Sequence, residues 1–386
     1  MMKAAVFKKT EDGRWLPTMR EMPVPLPEDG EVLMKVESCG ICQTDLTVSA
    51  GRFRDPRFIP DEVILGHEFW GEIVGVTERC NERRISLGME PIEEGDLVVA
   101  DPNIVCLHGE ARSWRREGGT CHFCQQFISA LCEKVQHIGV HFNGGFAQYC
   151  KLPAEQVVKL PDRDKEFWSK RGYLVEPLAC ILWGAERLQP EPGMSMAVMG
   201  AGPIGTLFAR LIRLFMPSLV VIVDVDDGRL ETAKKLNIGD AFVNLKSDGL
   251  EKIFELTGGE GIECIIETAG SPTALGAAVG MARKGGKILV FGVSPMGAMG
   301  EVEPFEIYEK QLEIKGACIY STTPPHKPKP IQYYFKKAID LLRKELVKAD
   351  DLVLSDAHIH PPEEIEEAFQ QIRNRVGLKH IVSCWK

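Results

Sequence analysis

Residue types that bind metals and residue types that bind nucleotides follow one another along this chain. Residues Cys39 to Asp45 read Cys-Gly-Ile-Cys-Gln-Thr-Asp, and a Gly-His-Glu segment spans 66–68. A Val-Glu-Pro-Leu segment begins at Val175, and the segment Gly-Ala-Gly-Pro-Ile-Gly spans 200–205. Thiolates, imidazoles and carboxylates bind zinc, and a glycine-rich turn that opens a helix binds phosphates. In this order they predict a Lewis-acid metal that works with a nicotinamide in hydride transfer.

The glycine-rich segment predicts a dinucleotide site. Gly200 allows a tight turn, Gly202 lets the backbone approach a pyrophosphate, and Gly205 lets the helix pack on the strand. Asp224 lies 22 residues after Gly202, where a carboxylate accepts hydrogen bonds from the ribose hydroxyls and repels a 2′-phosphate. NAD is therefore favoured over NADP. For Arg229 an adenine contact and a solvated helix position both stay open. The predicted cofactor contacts are Gly200, Gly202, Pro203, Ile204, Gly205, Asp224 and Arg229.

Length and composition limit the classes of function. A chain of 386 residues is too long for one ordinary core, which predicts two domains. Hydrophobic residues make up 44% and charged residues 26%, as in soluble globular proteins. The net charge of −9 argues against a nucleic-acid partner. Because no apolar run approaches the roughly 20 residues that span a bilayer, and no signal core opens the chain, we expect a cytoplasmic protein without membrane partners and with reduced cysteines.

The pattern of apolar residues changes along the chain. Up to about residue 175, short β-like runs separated by turn residues predict a mostly antiparallel, barrel-like domain; one such run spans 63–76. Beyond residue 193, strands alternate with helical patterns, which predicts a doubly wound parallel sheet, the Rossmann fold. We expect a catalytic domain formed by residues 1–180 and 322–386, and an NAD-binding domain formed by residues 181–321.

The whole chain resembles the zinc-dependent medium-chain dehydrogenase/reductase family, and most closely its polyol (sorbitol-like) dehydrogenase branch. The resemblance implies a Rossmann domain and a mostly β, GroES-like barrel catalytic domain, that is, an α/β protein. The segments that carry it follow the family's order and are the ones quoted above together with 66–72, 95–99, 101–106 and 144–149.

The resemblance implies a catalytic zinc ion. Cys42 matches the thiolate ligand, His67 the imidazole ligand, and Glu68 the carboxylate that ligates zinc or exchanges with water. Glu176 stands where alcohol dehydrogenases of the family carry a third cysteine ligand; in the polyol branch a glutamate there often reaches the metal through water. The wide spacing of these residues excludes a zinc finger and suits an open catalytic site.

Two further residues match parts of the catalytic machinery. Thr44 matches the hydroxyl that relays the substrate proton, and Asp45 the carboxylate that orients His67. The implied reaction oxidises a secondary hydroxyl to a carbonyl, with hydride transfer to NAD. Cys39 and Cys180 are interpreted as core residues rather than ligands.

A second, structural zinc site is predicted from four cysteines. Cys121, Cys124 and Cys132 keep the family's Cys-x2-Cys-x7-Cys spacing, and Cys106 ends the segment 101–106, where the family's first ligand normally falls. An insertion of about a dozen residues would then separate the first two ligands, at a loop-closure cost that grows slowly. Loss of the site, with free buried thiols, is the alternative. His108 and His122 are the alternative zinc ligands. The insertion at 107–120 either contacts the substrate, the cofactor or a neighbouring subunit, or is a solvated loop.

Several features bear on the substrate, for which a polyol or sugar is predicted. The threonine dehydrogenase branch usually has histidine where this chain has Asn103, which disfavours L-threonine. Glu176 disfavours simple alcohols, and Ile319 replaces an arginine of the polyol branch. Trp70 either shapes the pocket or fills the core. A glucose-type sugar dehydrogenase remains an alternative.

A protein of another class, a non-catalytic nucleotide-binding relative, would be expected to lose metal ligands or the relay hydroxyl. This chain keeps them all, which favours an enzyme. The resemblance further implies a homodimer or homotetramer.

Overall fold

The structure is a computed structural model, and it describes residues 1–53, 58–106, 119–126, 128–295, 297–318 and 332–385. Residues 107–118 of the predicted insertion, including His108, and Ile319 lie outside the described residues. The chain divides into two compact units. The first comprises Met1–Pro177, Ser321–Arg343 and Ala349–Lys386, and the second comprises Leu178–Tyr320 and Lys344–Lys348.

In the described part of the chain, strands outnumber helices in the first unit, whereas strands and helices alternate in the second. The strands are β1 (Met2–Lys9), β2 (Trp15–Met22), β3 (Glu31–Gly40), β4 (Glu62–Ile64), β5 (Glu68–Val76), β6 (Leu97–Ala100), β7 (Asn103–Ile104), β8 (Gln136–His137), β9 (Tyr149–Pro153), β10 (Val157–Lys159), β11 (Ser195–Met199), β12 (Leu219–Asp224), β13 (Ala241–Asn244), β14 (Ile262–Glu267), β15 (Ala282–Val290), β16 (Glu313–Gly316), β17 (Ile359–His360) and β18 (Ile381–Val382).

The helices are α1 (Gln43–Ser49), α2 (Cys80–Ser86), α3 (His122–Gln125), α4 (Lys165–Ser169), α5 (Val175–Leu188), α6 (Pro203–Ile212), α7 (Asp227–Lys235), α8 (Glu251–Leu256), α9 (Ala274–Met281), α10 (Pro304–Lys310), α11 (Tyr333–Arg343) and α12 (Ile365–Arg373). Within the residues described, none of these helices combines the length and apolar character needed to cross a membrane.

The first unit is built on two main β-sheets. Within the described residues, one sheet has the antiparallel order β2-β1-β4, and a larger one has the order β10-β6-β5-β3-β18-β17, with β9 also on β3. Strand β18 pairs antiparallel with β3, Val382 opposite Cys39. The last residues of the chain therefore complete the sheet that carries the start of the metal-binding segment.

The strand predicted over residues 63–76 is two strands, and this prediction was wrong. β4 pairs with β1, whereas β5 pairs with β3. Gly66 breaks the run because its φ of +94° lies in the left-handed region, which side chains other than glycine rarely adopt. A Cβ there would lie 2.7 Å from the ring of Phe146 and 2.8 Å from Cys39 Sγ. The break sets His67 and Glu68 at the start of β5.

The second unit is a parallel sheet with the strand order β13-β12-β11-β14-β15-β16. Its central strands are mostly apolar, and all but one residue of each is buried, as expected for a sheet covered on both faces. Helix α7 begins at Asp227, because the Asp226 carboxylate accepts a hydrogen bond from the Arg229 N–H and caps the helix. This strand order is that of the doubly wound nucleotide-binding fold.

The C-terminal helix α12 should be essential to the stability of the first unit. Phe369 is fully buried, and its ring lies 5.8 Å from that of Phe7 on β1. Phe369→Ala should lower the free energy of unfolding by about 3–5 kcal/mol, because it leaves a cavity in the core. Chemical denaturation would measure the loss. Val376→Ala, at a half-exposed position nearby in the chain, is the control and should stay within about 0.5 kcal/mol of wild type; equal effects would contradict this packing.

Candidate active site and metal centres

Helix α1 and the break before β5 are joined by one carboxylate, that of Asp45. Cys42 is the residue before the helix, and its backbone N–H donates to Asp45 Oδ2 at 2.9 Å. The backbone N–H of Gly66 donates to Asp45 Oδ1 at 3.3 Å. Asp45 itself is fully buried. The carboxylate thus fixes Cys42 beside the segment that carries His67.

Asp45 also faces the imidazole of His67. Nδ1 of His67 lies 3.4 Å from Asp45 Oδ1, within ion-pair distance although the pair does not satisfy hydrogen-bond geometry. A histidine that binds a metal commonly turns its other ring nitrogen toward a carboxylate, so this arrangement leaves Nε2 as the ligand atom. Burial lowers the pKa of His67, but Asp45 and Cys42 raise it, and the net shift is upward.

Glu68 forms a buried ion pair that the sequence did not predict. Its Oε2 accepts a hydrogen bond from the ammonium group of Lys379, which also donates to the carbonyl oxygen of Ile41 at 3.0 Å. Both side chains are 5% exposed or less. Burial lowers the pKa of Lys379, but the charges of Glu68 and Cys42 raise it above the usual value, so the lysine carries its charge.

The side chains of Cys42, His67 and Glu68 meet. One ligand atom from each lies within 4.8 Å of the other two. Sulfur, nitrogen and oxygen donors from three residues, all partly or fully buried, fit a catalytic zinc site, which keeps a further position for substrate. Glu176 is half-buried in the first turn of α5 and is not one of this close set.

Thr44 lies two residues after Cys42 on helix α1 and is half-buried. Among the described residues the structure records no hydrogen bond to its hydroxyl. The group is therefore able to accept and donate a proton, as a relay requires.

Two histidines that were not predicted from the sequence, His137 and His141, lie near His67. His137 Nδ1 is 2.7 Å from Asn103 Oδ1, and the His137 N–H donates to His141 Nδ1 at 2.9 Å. Burial, with smaller effects from His141 and His67, lowers the pKa of His137 to about 3, so its ring is neutral. Asn103 Nδ2 is buried without a hydrogen-bond partner in the described part of the chain.

The four cysteines predicted to form a structural site come together. One sulfur from each of Cys106, Cys121, Cys124 and Cys132 lies within 4.8 Å of the others. The sulfur of Cys132 is 3.7 Å from that of Cys106 and 4.0 Å from that of Cys121. A tetrahedron with zinc–sulfur bonds of about 2.3 Å has edges of about 3.8 Å. The arrangement thus fits a closed zinc site.

Local structure supports this cluster. Cys121 precedes helix α3, and its N–H donates to Cys106 Sγ at 3.1 Å. Burial raises the pKa of Cys132 to about 11 and that of Cys124 further. Burial also acts to raise the pKa of Cys121, but backbone N–H groups lower it to about 7. His122 is exposed and is not one of the set.

The glycine-rich segment forms a tight turn between β11 and α6. Gly200 has a φ of +101°, and a Cβ on Gly205 would lie 1.8 Å from the Gly200 carbonyl oxygen. Gly202 caps helix α6, whose first residues, Pro203 and Ile204, are half-buried. The geometry leaves the helix N-terminus open for a pyrophosphate.

Asp224 closes this turn at the end of the neighbouring strand β12. Its Oδ2 accepts a hydrogen bond from the Ala201 N–H at 2.7 Å, and Oδ1 accepts from the Val225 N–H at 2.7 Å. The guanidinium of Arg229 lies 3.6 Å from where a Cβ on Gly202 would stand. The acidic residue and an arginine thus flank the predicted phosphate-binding turn.

Two residues near the metal segments, Cys39 and Trp70, serve packing. Cys39 is fully buried, and burial raises the pKa of its thiol. Trp70 is buried, donates to Ser38 Oγ at 2.8 Å, and fills the space beside Gly172. Cys39 and Cys180 are not members of either close ligand set. Trp70 thus fills the core.

Two family models match the chain. The alcohol dehydrogenase GroES-like domain matches residues 28–162, and the zinc-binding dehydrogenase model matches residues 203–344. Among curated relatives, an L-threonine 3-dehydrogenase of Chelativorans sp. (strain BNC1) is 32% identical over 82% of this chain and 83% of its own length. The chain therefore belongs to the zinc-binding, medium-chain alcohol dehydrogenase family, and it is an oxidoreductase that acts on CH–OH donors.

Other relatives cover the chain almost completely. D-arabinitol dehydrogenase 1 of Uromyces fabae is 28% identical over 98% of this chain and 96% of its own length. The sorbitol dehydrogenase of Bacillus subtilis (strain 168) is 28% identical over 97% and 95%. The predicted resemblance to the polyol-type members of the family is confirmed.

Solved structures agree with the fold. A short-chain alcohol dehydrogenase from E. coli CFT073, in complex with NADH, has a TM-score of 0.77 at 25% identity and 99% coverage of both chains. A zinc-binding dehydrogenase from Sinorhizobium meliloti 1021, bound to NADP, has a TM-score of 0.78 at 27% identity and the same coverage. The predicted fold class, a Rossmann sheet with a mostly β, GroES-like domain, is confirmed, and zinc with a nicotinamide cofactor fits this family.

The four-cysteine cluster predicts a zinc ion that is independent of the Cys42 site. Cys124→Ser should lower bound zinc by about one equivalent per chain, because it removes one of four ligands of a closed site. Elemental analysis after dialysis would measure the loss. Cys318→Ser, at an exposed cysteine outside the cluster, is the control. An unchanged zinc content in Cys124→Ser would contradict the site.

The position of Asp224 predicts the choice of cofactor. Asp224→Ala should lower kcat/KM for NAD by roughly 10- to 100-fold, because a hydrogen bond to a charged group is lost. The ratio of NADP to NAD activity should rise, since a 2′-phosphate no longer meets a carboxylate. Glu231→Gln on the exposed face of α7 is the control. An unchanged ratio would show that Asp224 does not contact the ribose.

Proposed function

We propose that the protein is a zinc-dependent, NAD-linked dehydrogenase that oxidises a secondary hydroxyl of a polyol or sugar to a carbonyl. The observation that carries the proposal is the close set formed by Cys42, His67 and Glu68, with Asp45 behind the imidazole. The proposed catalytic domain comprises residues 1–180 and 322–386, and the proposed NAD domain comprises residues 181–321.

Each residue of the site has a proposed role. Cys42 and His67 hold the catalytic zinc, Glu68 ligates it or exchanges with water, and Glu176 reaches it through water. When bound, zinc supplies Lewis-acid polarisation of a hydroxyl, and NAD accepts the hydride. Cys106, Cys121, Cys124 and Cys132 hold a structural zinc ion.

The chain's own residues orient the site and move the proton. Asp45 holds the His67 ring and the backbone of Cys42 in place, so the ligand atoms do not need to reorganise when substrate binds. The Thr44 hydroxyl accepts the proton of the substrate hydroxyl and passes it toward solvent. A positioned proton carrier of this kind contributes on the order of 10²–10⁴ in rate.

NAD is the proposed cofactor. The relatives of known structure include one with NADH and one with NADP, so the choice depends on this chain's own residues. Asp224, at the end of β12, is the residue that would bind both ribose hydroxyls and repel a 2′-phosphate. Arg229 beside Gly202 is placed to contact the adenosine part.

The polyol or sugar class is supported by two observations. The arabinitol and sorbitol dehydrogenases match nearly the whole chain. The amide nitrogen Nδ2 of Asn103 is buried without a hydrogen-bond partner among the described residues, and such a donor suits a hydroxyl-bearing ligand. L-Threonine is the second candidate substrate, because the Chelativorans relative has the higher identity of 32%. A cytoplasmic homodimer or homotetramer is the proposed state.

A substrate screen with NAD tests the proposal. Zinc-loaded protein is given linear polyols, cyclic polyols, aldoses, L-threonine and simple alcohols, and NADH absorbance is followed, with NADP in parallel. Turnover on a polyol or sugar that disappears in Cys42→Ser supports the proposal. Turnover on L-threonine alone supports the second candidate. No turnover with both zinc sites filled would refute both and favour a non-catalytic role.

The relay role of Thr44 predicts a selective loss. Thr44→Val should lower kcat by roughly 100-fold or more with zinc content unchanged, because the proton loses its carrier. Thr47→Val on the same helix, whose hydroxyl bonds the Gln43 carbonyl oxygen, is the matched control and should keep its activity. Steady-state kinetics and elemental analysis would measure both; full activity in Thr44→Val would refute the relay.

A further inference from the structure

A lysine is buried in the proposed metal site. Lys379 is 4% exposed, and its ammonium group donates to Glu68 Oε2 and to the carbonyl oxygen of Ile41. Lysine is rarely buried unless it is paired. These contacts fix the ammonium group from two sides, beside the residue that precedes Cys42.

The negative charges of the metal site explain why the ammonium group of Lys379 is buried beside Glu68. The side chains around the proposed metal include the buried carboxylates of Asp45 and Glu68 and the half-buried Cys42, a thiolate when it binds zinc. With a divalent ion bound, these three negative charges exceed the metal charge by one. The ammonium group of Lys379 makes the set neutral, which reduces the cost of burying it.

We infer that Lys379 is a positioning residue that holds Glu68 by one oxygen, restrains the carboxylate from full ligation of the metal, and so keeps a metal position open for substrate. The inference rests on the proposed zinc site. Lys379 acts through Glu68 and touches neither substrate nor cofactor in this account.

The role predicts two changes of opposite direction in Lys379→Met. Zinc affinity at the Cys42 site should rise about tenfold or more, because Glu68 is released to bind the ion as a further ligand. The kcat should fall about tenfold or more, because a bound carboxylate competes with the substrate hydroxyl and weakens the Lewis acid. A purely structural lysine would lose affinity and activity together.

Three measurements test this on the full-length protein. Chelator competition gives the zinc affinity, steady-state kinetics gives kcat and KM, and the visible spectrum of the Co²⁺-substituted protein reports the ligand set. Lys379→Arg keeps the charge and should restore wild-type affinity and spectrum. Lys151→Met is the matched control, because Lys151 pairs with the buried carboxylate of Glu31 at 3.0 Å, outside the metal site.

A double mutant keeps the test decisive if Lys379→Met folds poorly. The double mutant adds Lys379→Met to Glu68→Gln. In Glu68→Gln the carboxylate is already absent, so Lys379 has no carboxylate to restrain. The effect of Lys379→Met on zinc affinity should then be smaller than about threefold, since coupled residues lose their mutual effect in such a cycle.

The outcomes separate this inference from the proposed function. Weaker zinc binding in Lys379→Met, or the same change with and without Glu68, would overturn the positioning role. An unshifted Co²⁺ spectrum in Lys379→Met would also overturn it. If the wild-type protein binds no zinc through Cys42 and His67, the proposed function itself fails, whatever Lys379 does.

Discussion

The carboxylate of Asp45 is the interaction on which the metal site depends. It accepts hydrogen bonds from the N–H groups of Cys42 and Gly66 and faces the ring of His67. One buried group therefore fixes the start of helix α1, the break between β4 and β5, and the orientation of the imidazole. Two strands of the larger sheet of the first unit lead to this carboxylate, because β3 ends just before α1 and β5 begins at Glu68.

Burial of this carboxylate imposes a second requirement, the balance of charge. Asp45, Glu68 and the thiolate form of Cys42 cannot all be desolvated without cations nearby. Lys379 supplies one positive charge. A divalent ion bound by the ligand set would balance the remaining two negative charges. The same principle explains the low pKa of His137, which burial lowers and which no carboxylate among the described residues offsets.

The sequence predicted what short motifs encode and missed what distant segments bring together. The alternation of strands and helices beyond residue 193 and the turn at Gly200 could be predicted because apolar runs and glycine spacing are local signals. The ion pair of Glu68 and Lys379 joins positions 311 residues apart, and a lone lysine before an apolar run is typical of a solvated side chain. The break at Gly66 was missed because apolar residues lie on both sides of it, at 63–65 and 69–70, whereas the close approach of Phe146 to Gly66 has no local sequence signal.

X-ray absorption at the zinc edge, on the zinc-loaded Cys124→Ser protein, tests the central claim most directly. With the four-cysteine site disabled, the remaining ion should show one sulfur at about 2.3 Å and nitrogen or oxygen atoms at about 2.0–2.2 Å. That shell would establish Cys42 as the single thiolate beside His67 and oxygen donors. A shell of sulfur alone, or a protein that retains no zinc, would contradict the account.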